Sequence, residues 1–474
     1  MTRTLNVRNP RTGEFDYEIT SADAETISSI ANRLRQAQPD WVALTMQERA
    51  ARLQKFAESL LADRALIGNA LQADTGRKRI AHMEVDGVAG VVAGWCAQLD
   101  NLLPSGWTQG VRDPEIKHHP QFVPYDLVGV ISPWNFPLTL SMIDTIPALL
   151  AGACVIIKPS EVTPRFADEV QKVIISSGLE NVLSFVQGDG ATGAALIDQV
   201  DAICFTGSVP TGRKVALSAA QNMIPAFLEL GGKDPLIVLP SANIEHATDA
   251  ALRGSVLSTG QACQSIERVY MHESMYPQFI EMLVTKANKV QLNWPDISAG
   301  EIGPIIFDKQ ADILKAHLED AVIKGAEILT GGDIETHGGG LWLKPTVVTN
   351  VSHDMKIMTE ETFGPIIPVM AYQTVEQAVQ LANDTEFGLS AAVMGKTLEE
   401  AETVGRQINA GAVSLNDAAL TSRFHEAEKH SFKLSGMGGS RMGPAGFQRF
   451  MRRKALIANT GAPLPLSAFS EDTN

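Results

Sequence analysis

From about Asp126 onward the chain alternates between short unbroken apolar runs and longer stretches with helical spacing. The runs Leu127–Ile131, Cys154–Ile157, Leu183–Val186, Ile203–Phe205 and Phe227–Leu230 show no polar alternation, which predicts strands buried on both faces. Helical stretches start at Leu138, follow Pro164 and cover Gly212–Gln221. Strands joined by helices imply right-handed crossovers and a parallel sheet. A second series begins at Leu236–Leu239 and continues through a helix at Ile244–Leu257. Its further runs are Val269–Met271, Ile328–Thr330, Ile366–Met370, Ala391–Met394 and Val413–Leu415. The expected class is α/β, with two doubly wound parallel-sheet domains.

Gly231, Gly232 and Pro235 place the boundary between the two series near Gly231–Pro235. Pro104, Gly106, Gly110 and Pro120 make Leu102–Val123 an excursion from the main sheet, and the tail from Gly461 reads as extended. The basic run Arg449, Arg452, Arg453 and Lys454 near Phe450 reads most simply as one polar helix face.

Length and charge narrow the function. At 474 residues the chain is too long for one core. Its 39 Lys plus Arg against 54 Asp plus Glu give a net charge of −15, which repels phosphate backbones, so no nucleic-acid partner is expected. The most apolar stretch, Ile146–Ile157, is interrupted by Pro147 and Gly152 and falls well short of the ~20 residues that cross a bilayer. No membrane association is expected. The four cysteines, Cys96, Cys154, Cys204 and Cys263, form no CxxC pair and suit a reducing cytoplasm. His425 and His430 are five apart and do not share a helix face, so no metal site is expected.

Several segments could carry chemistry. Gly188-Asp-Gly-Ala-Thr-Gly193 fits the GxGxxG dinucleotide pattern, but Val209–Leu228, where that pattern needs an acidic residue for the ribose, contains none. Its default reading is a glycine-rich turn. In Phe205-Thr-Gly-Ser-Val-Pro-Thr-Gly212 a buried strand runs into a helix start, where backbone N–H groups and the Ser208 hydroxyl could hold a pyrophosphate; a capped turn is the plain alternative. Lys158-Pro-Ser-Glu161 puts an ammonium and a carboxylate at the carboxyl edge of the sheet, as ribose ligands or as a solvated surface pair. A carboxylate there would repel a 2′-phosphate and so favour NAD over NADP.

Cys263 lies in the small-residue loop Thr259-Gly-Gln-Ala-Cys-Gln-Ser265, whereas the other three cysteines read as buried and inert. Glu229 ends the apolar segment Ala226-Phe-Leu-Glu-Leu-Gly-Gly232. Desolvation there would raise its pKa towards that of a general base; the alternative is a structural carboxylate paired with a lysine.

Six co-linear segments resemble the aldehyde dehydrogenase superfamily over nearly the whole chain. They are Ser132-Pro-Trp-Asn-Phe-Pro137, Lys158-Pro-Ser-Glu161, Phe205-Thr-Gly-Ser208, Leu228-Glu-Leu-Gly-Gly-Lys233, Gly260-Gln-Ala-Cys263 and Glu360-Glu-Thr-Phe-Gly-Pro365. The resemblance implies an NAD-linked, hydrolytic aldehyde dehydrogenase, with NADP possible as cofactor. Cys263 would be the nucleophile, Asn135 and the Cys263 N–H the oxyanion hole, and Glu229 the base for thioester hydrolysis. Lys158, Ser160 and Glu161 would contact the adenosine ribose, Gly207 and Ser208 the pyrophosphate, and Glu361 the nicotinamide ribose. Phe363 would pack beside that ribose, while Ser132, Trp134, Gly188 and Gly231 would line the cofactor channel.

The same resemblance implies Rossmann-like sheets and a small β bridging domain that pairs subunits into a homodimer or homotetramer. The expected division is a dinucleotide-binding domain at 1–101 and 124–231, a catalytic domain at 232–446, and bridging segments at 102–123 and 447–474. Many members read KxSGxGRE near the C-terminus, whereas Phe432-Lys-Leu-Ser-Gly-Met-Gly-Gly-Ser-Arg-Met-Gly443 stands here, and the preceding loop from Asp417 to His430 is also unusual. Phe136, Leu140 and Ile143 match tunnel positions and favour an apolar aldehyde, aromatic or long-chain; Arg423 leaves a carboxylate-bearing semialdehyde open. Two further alternatives are an enzyme that passes its acyl group to coenzyme A and a non-catalytic binding or structural homologue.

Overall fold

The computed structural model describes residues 3–471 and builds them around two central sheets. Across the first sheet the strands run Gly436–Met437, Ala226–Glu229, Ala202–Thr206, Leu127–Ile131, Cys154–Lys158 and Leu183–Phe185. The pairings among the last five are parallel. Leu127–Ile131, Cys154–Lys158 and Ala202–Thr206 are buried at every position, which is why they read as unbroken apolar runs. The helix Pro137–Ala151 and the N-terminal helices Ala24–Ala43, Met46–Ala62 and Lys78–Cys96 close the same core.

Chain order reverses between Leu127–Ile131 and its neighbour Ala202–Thr206, so a crevice opens beyond the carboxyl ends of these strands, where open α/β sheets take ligands. Ser132, Lys158 and Thr206 stand at those ends.

The second sheet runs Glu327–Thr330, Thr346–Thr349, Ile366–Tyr372, Ile266–His272, Asp234–Val238, Ser390–Met394 and Ala412–Leu415. It is parallel except at the Glu327–Thr330 edge, which pairs antiparallel with Thr346–Thr349. The run at Ile328 therefore does not continue the parallel series. Only the small hairpin Ile334–His337 and Gly340–Leu343 lies between the two strands, and without a crossover helix the chain can only turn back.

A third, antiparallel sheet joins Ile116–Pro124 to Thr108–Gln109 and Met451–Asn459. This corrects the reading of the basic run as a helix face. The helix Gly443–Gln448 stops short of it, Arg449 turns inward onto Asp144, and Arg452, Arg453 and Lys454 lie on the strand. The chain also returns late to the first sheet: Gly436 and Met437 pair antiparallel with Glu229 and Leu228. The segment around Gly436 thus adjoins the strand that carries Glu229. Among the described residues, no helix is long and apolar enough to cross a membrane.

Candidate active site

The loop that carries Cys263 leaves the helix Ile244–Val256 through an unusual backbone: Ser258, Thr259 and Gly260 take φ of 59°, 60° and 67°. Left-handed backbone is strained for a β-branched threonine, so the surroundings must enforce it. Thr259 Oγ1 donates to the Gly303 carbonyl (3.0 Å) and accepts from the Gly303 N–H (3.1 Å). The Gln261 amide donates to Pro304 O (3.2 Å) and accepts from Ile306 N–H (2.9 Å). A side chain at Gly260 would collide with the Gly364 backbone, so that position needs glycine for space as well as for φ. The result is a half-buried Cys263 just beyond a segment held at Thr259, Gly260 and Gln261.

Asn135 follows the strand Leu127–Ile131 and is buried; its Nδ2 donates to the Gln261 carbonyl at 3.0 Å, which sets the amide against the Cys263 loop. Arg77 fastens the two together. Its guanidinium donates to the Asn135 carbonyl (2.6 Å) and to Ser258 Oγ, and it lies 5.0 Å from the centre of the Phe136 ring. Glu84, 3.8 Å from Arg77, accepts from the N–H groups of Leu138 (3.1 Å) and Thr139 (3.0 Å), placing a carboxylate at the start of the helix Pro137–Ala151. Burial pushes the Glu84 carboxyl up to about 7 and draws Arg77 down to about 10.

Glu229 departs from its expected electrostatics. Burial acts to raise its pKa, but Lys429, Arg441, a hydrogen bond from Ser431 and Arg449 outweigh it, and the net direction is down. Ser431 Oγ donates to Glu229 Oε2 at 2.8 Å, and Lys429 Nζ lies 3.5 Å from the same oxygen. The side chain is thus an ionised carboxylate. Cys263 moves the other way: burial first, then the charges of Glu229, Asp234 and Glu361, push its thiol up to about 12, with Lys429 opposing.

On the sheet side of the crevice, Lys158 Nζ donates to Glu161 Oε2 at 3.1 Å; the lysine is buried and the glutamate half-exposed. Ser160 Oγ accepts from the Val162 N–H (3.2 Å). Gly207 and Ser208 stand where the strand Ala202–Thr206 meets the helix Val209–Gln221. Ser208 occupies the N-cap without capping, its Oγ donating to Thr211 Oγ1 (3.1 Å) instead, so the first-turn N–H groups lack that side-chain acceptor. Such a helix start suits a pyrophosphate. At the GxGxxG segment, by contrast, Asp189 caps the helix Gly190–Ile197 and pairs with Arg3, filling that helix start with a carboxylate; Gly188, at φ 151°, is the turn before it.

Glu361 Oε1 accepts from the Gly232 N–H (3.0 Å), and its buried carboxyl is raised to about 8 by desolvation and by Glu267. Gly231 leaves room for that carboxylate, which a side chain there would strike. Phe363, at φ 54°, meets Trp134 edge-on with ring centres 5.4 Å apart. Ser132 is committed inward, its Oγ 2.7 Å from Ser141 Oγ, so only its backbone can face the channel.

In the helix Pro137–Ala151, Thr139, Leu140 and Ile143 alone escape full burial. With half-buried Phe136, Leu140 and Ile143 form one apolar stripe at helical spacing. Arg423 is exposed at the end of the turn Leu420–Ser422.

Sequence reasoning assigned nothing to Arg77, Glu84, Glu267, Lys233, Asp144, Arg441, Lys429 or Ser431. Glu267 accepts from the N–H groups of Thr362 and Phe363 (both 2.8 Å) and from Lys233 Nζ (2.7 Å), and so holds the segment bearing Glu361. Asp144 receives Arg441 and Arg449, and Arg441 also reaches Thr206 Oγ1. A usable signal existed for one of these: Asp144 is a lone carboxylate in an apolar helix.

A doubly wound sheet with an open helix start and a half-buried cysteine in a loop beside a second α/β sheet suit a dinucleotide-linked enzyme, and the relatives make the class an NAD(P)-linked aldehyde oxidoreductase. The chain belongs to the aldehyde dehydrogenase family, whose sequence profile matches residues 1–456. It is 32% identical over 469 residues to a 3,6-anhydro-alpha-L-galactose dehydrogenase of Vibrio sp. (strain EJY3), covering 96% of this chain and 95% of that one. It is 33% identical over 469 residues to a provisionally named NADP(+) succinate-semialdehyde dehydrogenase of Mycolicibacterium smegmatis, covering 96% and 90%. Among solved structures it resembles a provisional aldehyde dehydrogenase, PutA of Anabaena variabilis, at TM-score 0.95 and 52% identity over 98% of this chain and 99% of that one. Lactaldehyde dehydrogenase of Escherichia coli follows at TM-score 0.91 and 30% identity, covering 96% of each.

Proposed function

We propose that the chain oxidises an apolar aldehyde to its carboxylic acid through a covalent intermediate on Cys263. Cys263 gives its thiol proton to water, the resulting thiolate attacks the carbonyl carbon, and the electron pair of the C=O bond moves onto oxygen, where the Asn135 amide and the Cys263 N–H receive the charge. Bound NAD supplies the acceptor for the hydride that then leaves this carbon, and a thioester remains. Glu229 takes a proton from water as the water oxygen adds to the thioester carbon. The C–S bond breaks, the acid departs and the thiolate is restored.

Lys158, Ser160, Glu161, Gly188, Gly207 and Ser208 would hold the adenosine half and the pyrophosphate. Ser132, Trp134, Gly231, Glu361 and Phe363 would line the nicotinamide half. The half-exposed Glu161 carboxylate favours NAD over NADP. Pairing of subunits through the antiparallel sheet at Ile116–Pro124 and Met451–Asn459 would give a dimer or tetramer.

One observation supports this reading above the others: the buried Asn135 amide donates to the Gln261 carbonyl of the loop that carries Cys263. The apolar preference rests on the stripe of Phe136, Leu140 and Ile143. A second substrate reading, a carboxylate-bearing semialdehyde held by Arg423, has in its favour the name of the mycobacterial relative and the exposure of that arginine.

NADH formation with aromatic, aliphatic and carboxylated aldehydes is the test. Turnover is expected in wild type and none in Cys263→Ala, with the highest kcat/KM on apolar substrates. A carboxylated aldehyde ahead by tenfold would replace the apolar reading with the semialdehyde one. Acyl-CoA as the main product on adding coenzyme A would overturn hydrolysis, and no NADH from any aldehyde would leave a binding protein.

A further inference from the structure

We propose that Lys429, on the unusual loop from Asp417 to His430, and Ser431 just after it are positioning residues that hold the Glu229 carboxylate ionised and in one orientation. The proposal rests on the role given to Glu229 above. Both residues address the same oxygen, Oε2: the hydroxyl of Ser431 donates at 2.8 Å and the ammonium of Lys429 lies 3.5 Å away. The two charged side chains are 6% and 13% exposed, so water screens their attraction little.

The backbone, not the reach of a flexible stem, delivers this pair. The Lys429 N–H donates to Ser440 Oγ at 3.1 Å, and that hydroxyl donates to Met442 O at 2.9 Å. A few residues on, Gly436 pairs with Glu229 across the sheet and the Leu230 N–H donates to Ser435 O at 2.8 Å. Loop and base are therefore parts of one hydrogen-bonded unit.

The other charges facing Glu229 leave Lys429 as its principal counterion. Arg441 and Arg449, which flank the helix Gly443–Gln448, both bind Asp144 of the helix Pro137–Ala151, so their charge is partly neutralised there. Cys263, from the nucleophile loop, is a neutral thiol at physiological pH. Among the described residues, the ion pair with Glu229 is the only one Lys429 makes. A lysine so engaged is not free to receive a substrate carboxylate.

An opposite charge this close lowers a carboxyl pKa by ~1–3 units, so removing it should raise the acidic limb of deacylation by that much. The experiment loads Cys263 with a radiolabelled acyl group from aldehyde and NAD, then follows hydrolysis by rapid quench from acid to neutral pH. Lys429→Met is expected to shift the acidic limb upward by at least about one unit. Lys429→Arg should restore it, and Ser431→Ala should shift it by a smaller amount. The serine variant removes only a hydroxyl and serves if Lys429→Met does not fold.

Glu229→Gln in parallel separates the two claims. If it accumulates acyl-enzyme while the Lys429→Met and Ser431→Ala limbs stay in place, the positioning role is wrong and the base role stands. If it hydrolyses acyl-enzyme at the wild-type rate, the base role fails and this proposal with it. A rise in KM confined to carboxylated aldehydes, with the limb unmoved, would make Lys429 a substrate receptor and overturn the proposal.

Discussion

Replacing Arg77 by methionine should separate stability from catalysis. The guanidinium is buried and supports three things at once: the Asn135 carbonyl at 2.6 Å, the Ser258 hydroxyl, and the charge of Glu84 at 3.8 Å. Methionine fills much of the volume but leaves Glu84 without its cation, and breaking a buried ion pair costs about 3–5 kcal/mol. The carboxyl already stands at about 7 against an ordinary 4.5, so its burial costs more stability as pH rises through that interval. Loss of Arg77 raises it further, and the variant should weaken more steeply than wild type from acid to neutral pH.

Adding Glu84→Gln removes the stranded charge while leaving an oxygen for the Leu138 and Thr139 N–H groups, so stability should largely return. Activity should not return, because Asn135 and Ser258 have still lost their common anchor. A displacement of ~1 Å at reacting groups is worth about 100-fold in rate. Denaturant unfolding across pH and kcat for NADH formation make the comparison. Recovery of both in the double variant, or loss of neither in the single one, would refute the reasoning.

Two other expectations follow from local charge. Glu161→Gln removes the carboxylate beside Lys158 and should raise kcat/KM for NADP by ~10-fold, equivalent to about 1.4 kcal/mol; an unchanged NADP-to-NAD ratio would remove Glu161 from cofactor choice. With its thiol pushed up to about 12, Cys263 in cofactor-free enzyme should react with iodoacetamide at a rate still climbing above pH 9, and NAD should speed that reaction near neutrality. A plateau below pH 9 without cofactor would show that burial and the neighbouring carboxylates do not govern the thiol.

What could be read from the sequence follows from which interactions are local. Strands buried on both faces leave uninterrupted apolar runs, so Leu127–Ile131 or Ala202–Thr206 can be found without knowing what covers them. The antiparallel turn-back at Glu327–Thr330 and the strand after Phe450 leave no such trace, because direction and hydrogen-bond partner are set by distant chain. The same division applies to the site. Cys263 announces itself by its loop, but its fixed backbone depends on Arg77 and Gly303, neither of them a sequence neighbour.

Glu229 divides in the same way: desolvation in its apolar segment implies a raised pKa, whereas the structure gives the other reading, a carboxylate beside a lysine, and a net lowering. Its own segment shows only apolar neighbours, while the opposing charges lie some two hundred residues further on. Gly436–Met437 brings that region to the edge of the first sheet, a pairing two residues long that leaves no periodic trace.

The most direct measurement is mass spectrometry of Glu229→Gln enzyme quenched after mixing with aldehyde and NAD. The account predicts that the peptide containing Cys263 gains the mass of the aldehyde less two hydrogens, in step with one NADH formed per subunit. NADH released without that adduct, or the adduct found on another residue, would contradict it.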